Sequence, residues 1–405
     1  MKIERLRMET VAGRPRAVAS VTWEDCGRGS FDLHYETIPE FADDFNCDPH
    51  AFLVACLFPA IRNGERRVLV DGSICPDLKN GLDVAGGWIR KWYGPGCGSA
   101  AIEATGGTSR LPKGESARAA SFLSGGIDSL ATLRSNRLNY PVDHPGYIRD
   151  CFLVYGYDMG CFEHDKGSRR IYDQTFEQLS GLARDTGFTL IPVSTNVRAL
   201  HDDSDAFMST YHGPMLASVA HLFGARIASI SIASSITYDD FIPWGSHPLL
   251  EPNCSSSDLL VKMDGFQLSR LEKTRIVSQW DAGLARLKVC GQNLEGPVNC
   301  GSCQKCIRTM LELYVAGGLD RAKTFPSRHI TADLVRKLCI GNFKYHSHYY
   351  EELYPFLHSM GQSDIVRILE CKRRLYFGLY SSADRMGLVR IAKRCRDLAR
   401  RIRFL

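Results

Sequence analysis

The strongest constraint on the fold is an alternation of two periodicities that begins near residue 119. Short apolar runs at Ala119–Leu123, Cys151–Tyr155, Thr189–Val193 and Arg226–Ile232 have the length and composition of buried strands. Between them lie stretches with helical spacing, Ile127–Asn136, Ile171–Thr186 and Tyr211–Phe223. Strand and helix in regular turn, joined by connections too long for hairpins, predict βαβ units and a parallel sheet with helices on both faces. The expected class is therefore α/β and Rossmann-like.

The flanks read differently. Ala17–Trp23 and Phe31–Glu36 are strand-like, and strict alternation in the second puts Phe31, Leu33 and Tyr35 on one face. Asp48 and Pro49 form an N-cap and first-turn pair that opens a helix ending at Gly64, and Arg67–Val70 reads as another strand ahead of a Gly- and Trp-rich stretch around Trp88 and Trp92. The polar stretch Gly106–Gly114 is the best linker candidate. The expected division is an N-terminal α+β accessory domain (1–108), an α/β domain (117–325) and a helical C-terminal extension (326–405). That extension ends in an amphipathic segment whose apolar face runs from Leu388 to Leu405, and residues 385–405 carry eight Lys/Arg and one Asp. Such a surface attracts nucleic acid, an acidic partner or anionic lipid, or its apolar stripe packs on the body; the last is favoured.

Composition narrows the classes. With 405 residues, 44% hydrophobic, 23% charged and a net charge of +5, the chain is neither disordered nor a small disulfide-stapled scaffold. The opening residues carry charges throughout and no apolar core, and the longest near-apolar run, Ala51–Ile61, contains Pro59 and falls short of the roughly 20 residues of a membrane span. A cytoplasmic protein with no membrane span is expected.

The most informative local motif is Ser124-Gly125-Gly126-Ile127-Asp128-Ser129, set directly after a strand and opening a helix. A helix N-terminus presents free N–H groups and the positive end of the macrodipole. Two glycines let backbone approach phosphate oxygens, and the serines add hydroxyls. Asp128 would repel bare phosphate, so a carboxylate there suits Mg²⁺. No Gly-Lys-Ser/Thr follows, so this is not a Walker A loop. The motif resembles the PP-loop of the N-type ATP pyrophosphatases, which cleave ATP between the α- and β-phosphates. The resemblance implies an adenine nucleotide alpha hydrolase-like fold, pyrophosphate and Mg²⁺ at Ser124, Gly125, Gly126, Asp128 and Ser129, and adenine near Val154, Tyr155 and Gly156.

Fifteen cysteines, an odd number, argue against a fully paired disulfide framework. Four of them, Cys290, Cys300, Cys303 and Cys306, fall within 17 residues. Four thiolates at this spacing suit a closed structural Zn²⁺ site. An iron–sulfur cluster is the alternative, though the ferredoxin continuation with a further cysteine and proline is missing.

Loop and cysteine cluster together resemble 7-cyano-7-deazaguanine synthase over roughly residues 117–320, as a longer and diverged member of that group, which includes proteins of antiphage systems. The resemblance implies adenylation of a carboxylate substrate, with a deazapurine as candidate. Ammonia or another amine, a protein acceptor included, would then open the adenylate to an amide, nitrile or conjugate. It puts Lys273 forward as catalytic cation with Asp128, and Arg275 behind it; as an ordinary helical lysine beside Glu272, Lys273 would instead be solvated. Asp239 and Asp240 follow a strand at the sheet edge where such folds bind ligands, and His212 and His247 sit in Gly/Pro loops; all four are substrate candidates. Asp202, Asp203 and Asp205 read as a helix cap and loop. A homo-oligomer is expected. The competing readings are a PP-loop tRNA-modifying sulfurtransferase and a non-catalytic nucleotide-binding subunit.

Overall fold

The computed structural model describes residues 1–94, 98–107, 118–157, 166–200, 207–291, 298–339 and 343–385. The chain falls into two compact units, Met1–Glu295 and Gly296–Leu405.

The first unit is built on ten strands: β1 (Lys2–Val11), β2 (Arg14–Thr22), β3 (Phe31–Thr37), β4 (Arg67–Val70), β5 (Ala101–Ala104), β6 (Arg118–Phe122), β7 (Ile148–Tyr155), β8 (Thr189–Thr195), β9 (Ile227–Ala233) and β10 (Leu260–Asp264). They form one sheet in the order β10-β9-β6-β7-β8-β3-β2-β1-β4-β5. Its helices are α1 (Pro49–Arg62), α2 (Pro76–Tyr93), α3 (Ile127–Asn139), α4 (Lys166–Thr186), α5 (His212–His221), α6 (Arg270–Ser278) and the short α7 (Asp281–Leu284).

Strands β10, β9, β6, β7 and β8 are mutually parallel; the alternation predicts β6 to β9, and β10 is added by the structure. Taken in chain order, this half runs third, second, first, fourth, fifth from β8 to β10. The order reverses between β6 and β9, and that switch point, outside the carboxyl ends of the two strands, is where open α/β sheets bind ligands.

Residues 1–107 are not set apart as an accessory domain. β3 pairs antiparallel with β8, with Tyr35 opposite Thr195 and Thr37 opposite Val193, so the N-terminal strands extend the same sheet. The Asn196 side chain continues the ladder, accepting from His34 N–H and donating to the Asp32 carbonyl, both at 2.8 Å. Tyr35 Oη lies 2.8 Å from Ser218 Oγ on α5, and one hydrophobic core runs from Ile3 and Leu33 to Phe152, Phe223 and Ile230. The reason is visible in α1: every residue from His50 to Ile61 is buried. A helix apolar on all sides needs cover on all sides, which a separate domain of about a hundred residues would not supply. The Asp48 cap is in place, accepting from His50 N–H at 2.8 Å.

The second unit is largely helical: α8 (Gln304–Val315), α9 (Ala332–Arg336), α10 (Phe343–Glu351), α11 (Tyr354–Ser359) and α12 (Ser363–Arg385). No helix among the described residues is long and apolar enough to cross a membrane. The linker residues from Thr108 to Gly114, Asp202, Asp203 and Asp205, and the basic tail beyond Arg385 lie outside the described residues.

Candidate functional site

The loop after β6 takes the form its letters suggest. Gly125 has φ +79°, a left-handed conformation that glycine adopts without strain, and Gly126 is the N-cap of α3. Ser129, buried on the first turn, accepts from Ser124 N–H at 3.2 Å and donates to the Gly126 carbonyl at 3.2 Å. Ser124 Oγ stands 3.2 Å from Ser129 Oγ and accepts from Gly126 N–H at 3.3 Å. Behind the loop, Lys288 N–H donates to the Gly125 carbonyl at 2.8 Å. Both serine hydroxyls thus border a helix N-terminus whose first N–H groups have no acceptor within the helix.

Asp128, on the first turn of α3, gathers two cations from α6. Arg270 Nη1 is 2.7 Å from Asp128 Oδ2, and Lys273 Nζ is 3.8 Å from Asp128 Oδ1. Residues three apart share a helix face, so α6 presents both. A capping box fixes where α6 starts: Ser269 Oγ accepts from Glu272 N–H, and Glu272 returns a bond to Ser269 N–H. Lys273 is no solvated surface lysine. It is 3% exposed, and Nζ donates to the Ser234 carbonyl at 2.7 Å. Burial pushes its pKa down and Arg270 adds to this, while Asp128 and Asp264 act the other way.

Three contributors to this cluster were not singled out from the sequence. Arg270 is the first residue of α6, Ser234 follows β9, and Asp264 ends β10. Asp264 accepts from Thr132 Oγ1 at 2.7 Å, one turn beyond Asp128 on α3, and its carbonyl accepts from Ser234 N–H at 2.8 Å. A weak signal existed for Arg270, at the N1 position of a Ser-x-x-Glu cap and three residues before Lys273. Ser234 and Asp264 became visible only once β10 was placed beside β9.

The remaining candidates divide. Val154, Tyr155 and Gly156 sit at the carboxyl end of β7, on the same sheet edge as the loop. Gly156 has φ +88°, and a Cβ there would stand 1.7 Å from the Thr195 carbonyl oxygen. Tyr155 packs against Tyr172 at 5.1 Å, with Arg169 over its ring at 5.3 Å. His212 opens α5 with Nδ1 2.9 Å from the Met208 carbonyl, and its own carbonyl accepts from Tyr157 Oη. His247 is buried between Trp92 and Phe241, at 4.8 and 4.6 Å. Its Nδ1 accepts from Leu249 N–H, its Nε2 is buried without a hydrogen-bond partner among the described residues, and burial lowers its pKa to about 4. Asp239 is exposed in the turn Tyr238–Asp240, and the Asp240 side chain lies outside what is described. Arg275, two residues from Lys273, is on another face of α6 from the Arg270–Lys273 pair.

The cysteines converge. The sulfurs of Cys290, Cys300, Cys303 and Cys306 all lie within 4.8 Å of one another, with Cys300 and Cys306 at 3.8 Å. Tetrahedral ligands about 2.3 Å from one ion stand about 3.8 Å apart. Gly301, at φ +71°, turns the chain so that the N–H groups of Ser302 and Cys303 point at Cys300 Sγ, at 3.5 and 3.2 Å. Donors aimed at sulfur favour the thiolate that binds metal. The set fits a single ion such as zinc. An iron–sulfur cluster places several irons and sulfides between its thiolates and needs a wider spread.

No protein-family model, curated protein or solved structure matches the chain.

Proposed function

We propose that the chain is an ATP-dependent enzyme of the PP-loop, adenine nucleotide alpha hydrolase-like type that adenylates a carboxylate, akin to 7-cyano-7-deazaguanine synthase. The observation that carries this reading is the placement of the Ser124–Ser129 loop at the sheet's switch point, beside the buried Lys273 and Arg270. A ligand with a run of anionic oxygens is the chemistry such a place favours.

In this reading Ser124, Gly125, Gly126 and Ser129 cradle the β- and γ-phosphates, and the ledge at Val154, Tyr155 and Gly156 borders adenine. A carboxylate oxygen of the substrate attacks the α-phosphorus, the bond from that phosphorus to the bridging oxygen breaks, and its electron pair leaves on pyrophosphate. Lys273, held by the Ser234 carbonyl, offsets the charge that develops on the departing group without having to be reorganised first. The substrate carboxylate approaches from the same sheet edge, where His212, Asp239 and His247 are found. An amine then opens the adenylate. Magnesium is commonly held by one or two carboxylates plus phosphate oxygens; the half-buried Asp128 fits that role, and the ion would screen phosphate charge. Zinc at the four cysteines would be structural, since four protein ligands leave no open position.

The test is mass spectrometry of a mixture of ATP, 7-carboxy-7-deazaguanine and ammonia. AMP and a substrate shifted in mass are expected with the wild-type protein and neither with Asp128→Ala. AMP formed equally by the variant, or an unaltered substrate with the wild type, refutes adenylation of that carboxylate.

A further inference from the structure

The net charge of +5 conceals an imbalance between the two units. Residues 1–295 carry 30 Lys/Arg against 36 Asp/Glu, a net −6, whereas residues 296–405 carry 20 against 9, a net +11. Most of that surplus lies in residues 363–405, α12 and the sequence that follows it, with twelve Lys/Arg and four Asp/Glu. A charge asymmetry of this kind marks a surface for an anionic partner.

α12 also exposes apolar side chains beside its cations. Leu375, Phe377 and Leu379 are 51%, 42% and 59% exposed, directly after the run Lys372-Arg373-Arg374. Leu375 and Leu379, one turn apart, line an open groove with Arg367, Glu370, Cys371 and Arg374. The two arginines of the groove face Asp364 and Glu370, but their side chains are 74% and 78% exposed, and ion pairs so open to water hold an arginine only weakly. The sequence beyond Arg385 repeats the combination, with Leu388, Ile391, Leu398 and Ile402 at helical spacing among seven Lys/Arg.

Charge and apolar surface together select the occupant. A second copy would set one basic helix against another, and the tail folded back on α12 would do the same, so neither complements the groove. A nucleic acid answers the arginines but leaves Leu375 and Leu379 facing phosphate and sugar. An anionic bilayer answers both: its headgroups take the cations, and the leucines enter the boundary between headgroup and acyl chain. We propose that the second unit is a peripheral membrane module, in which α12 and the basic segment after it lie on an anionic lipid surface. The apolar stripe of the tail then faces lipid in place of the body. This surface is independent of the Ser124–Ser129 loop, and its failure would leave the adenylation reading untouched.

Co-sedimentation of the full chain with vesicles tests it, using phosphatidylcholine alone and phosphatidylcholine with about one-third phosphatidylglycerol. Binding to the anionic vesicles should be roughly tenfold tighter or more at about 0.1 M salt, and largely lost at about 0.5 M. Arg367→Gln with Arg374→Gln, and separately Leu375→Ser with Leu379→Ser, should each weaken it about threefold to tenfold. All four side chains are exposed, and the midpoint of chemical denaturation checks that each variant folds as the wild type does. Equal binding to the two kinds of vesicle, or none to either, refutes the module. Undiminished binding by the leucine pair reduces the contact to charge alone and refutes insertion, and tighter binding of an RNA of about 20 nucleotides than of anionic vesicles makes this a nucleic-acid surface instead.

Discussion

Glu251 is the clearest case of a single residue held against its ordinary chemistry. It is fully buried, accepting from the Ser246 hydroxyl and from His247 N–H at 2.7 Å, and burial raises its pKa to about 7. The unfolded chain releases this proton near 4.5. Between those values the native state binds more protons than the unfolded one, so stability contributed by Glu251 falls as pH rises through the window. Glutamine keeps the acceptor for His247 and cannot ionise. Glu251→Gln should therefore match wild type near pH 4.5 and exceed it by up to about 3 kcal/mol at pH 8 in denaturant titrations. A difference that does not vary with pH would show that Glu251 is neutral or ionised throughout. Lys273 makes the same point about environment: its letters, on a helix beside Glu272, describe a surface lysine, and only the packing of α6 against α3, with Nζ on the Ser234 carbonyl just after β9, turns it into a buried cation at the site.

At the scale of elements, what the sequence discloses depends on whether the local signal and the packing agree. α1, β4, β6 and α3 are legible because cap, periodicity and burial coincide, and the Ser124–Ser129 loop inherits its position from two of them. α2 is not. Its Gly81, Gly86 and Gly87 lower helix propensity, so the stretch reads as irregular, yet at Gly81 a Cβ would stand 2.3 Å from the Asn253 carbonyl oxygen, whereas at Gly87 it would meet nothing within 4 Å. The absent side chain at Gly81 is what lets the helix lie against the turn Glu251–Cys254. Gly81→Ala should accordingly destabilise the protein by roughly 1–3 kcal/mol, and Gly87→Ala should stabilise it by about 0.5–1 kcal/mol, as measured by chemical denaturation; the same sign at both positions would contradict the packing. β10 escapes a sequence reading because Leu260–Asp264 carries only three apolar residues, and with it goes the signal for Ser234 and Asp264. The cysteine turn is the opposite case, since ligand spacing is local and survives any uncertainty about the fold. Elemental analysis should find one zinc per chain, falling well below one in Cys303→Ser, with lower thermal stability after chelation. Several irons per chain together with inorganic sulfide would contradict the single-ion site.

For the whole molecule, continuity of the sheet is what the sequence concealed. The alternation beginning at residue 119 discloses four of the five parallel strands, but nothing local states that β3 will pair with β8, because β3 reads as half-buried from its own residues alone. That pairing places the N-terminal strands in the same unit as the loop, so they have no core of their own. It also leaves the carboxyl ends of β6 and β9 open as the switch point, and the central claim concerns what happens there. The most direct measurement follows ATP by phosphorus NMR as it is consumed in the presence of 7-carboxy-7-deazaguanine and ammonia. The account predicts AMP and pyrophosphate in equal amounts, from cleavage between the α- and β-phosphates. ADP and inorganic phosphate, or ATP left intact, would contradict it.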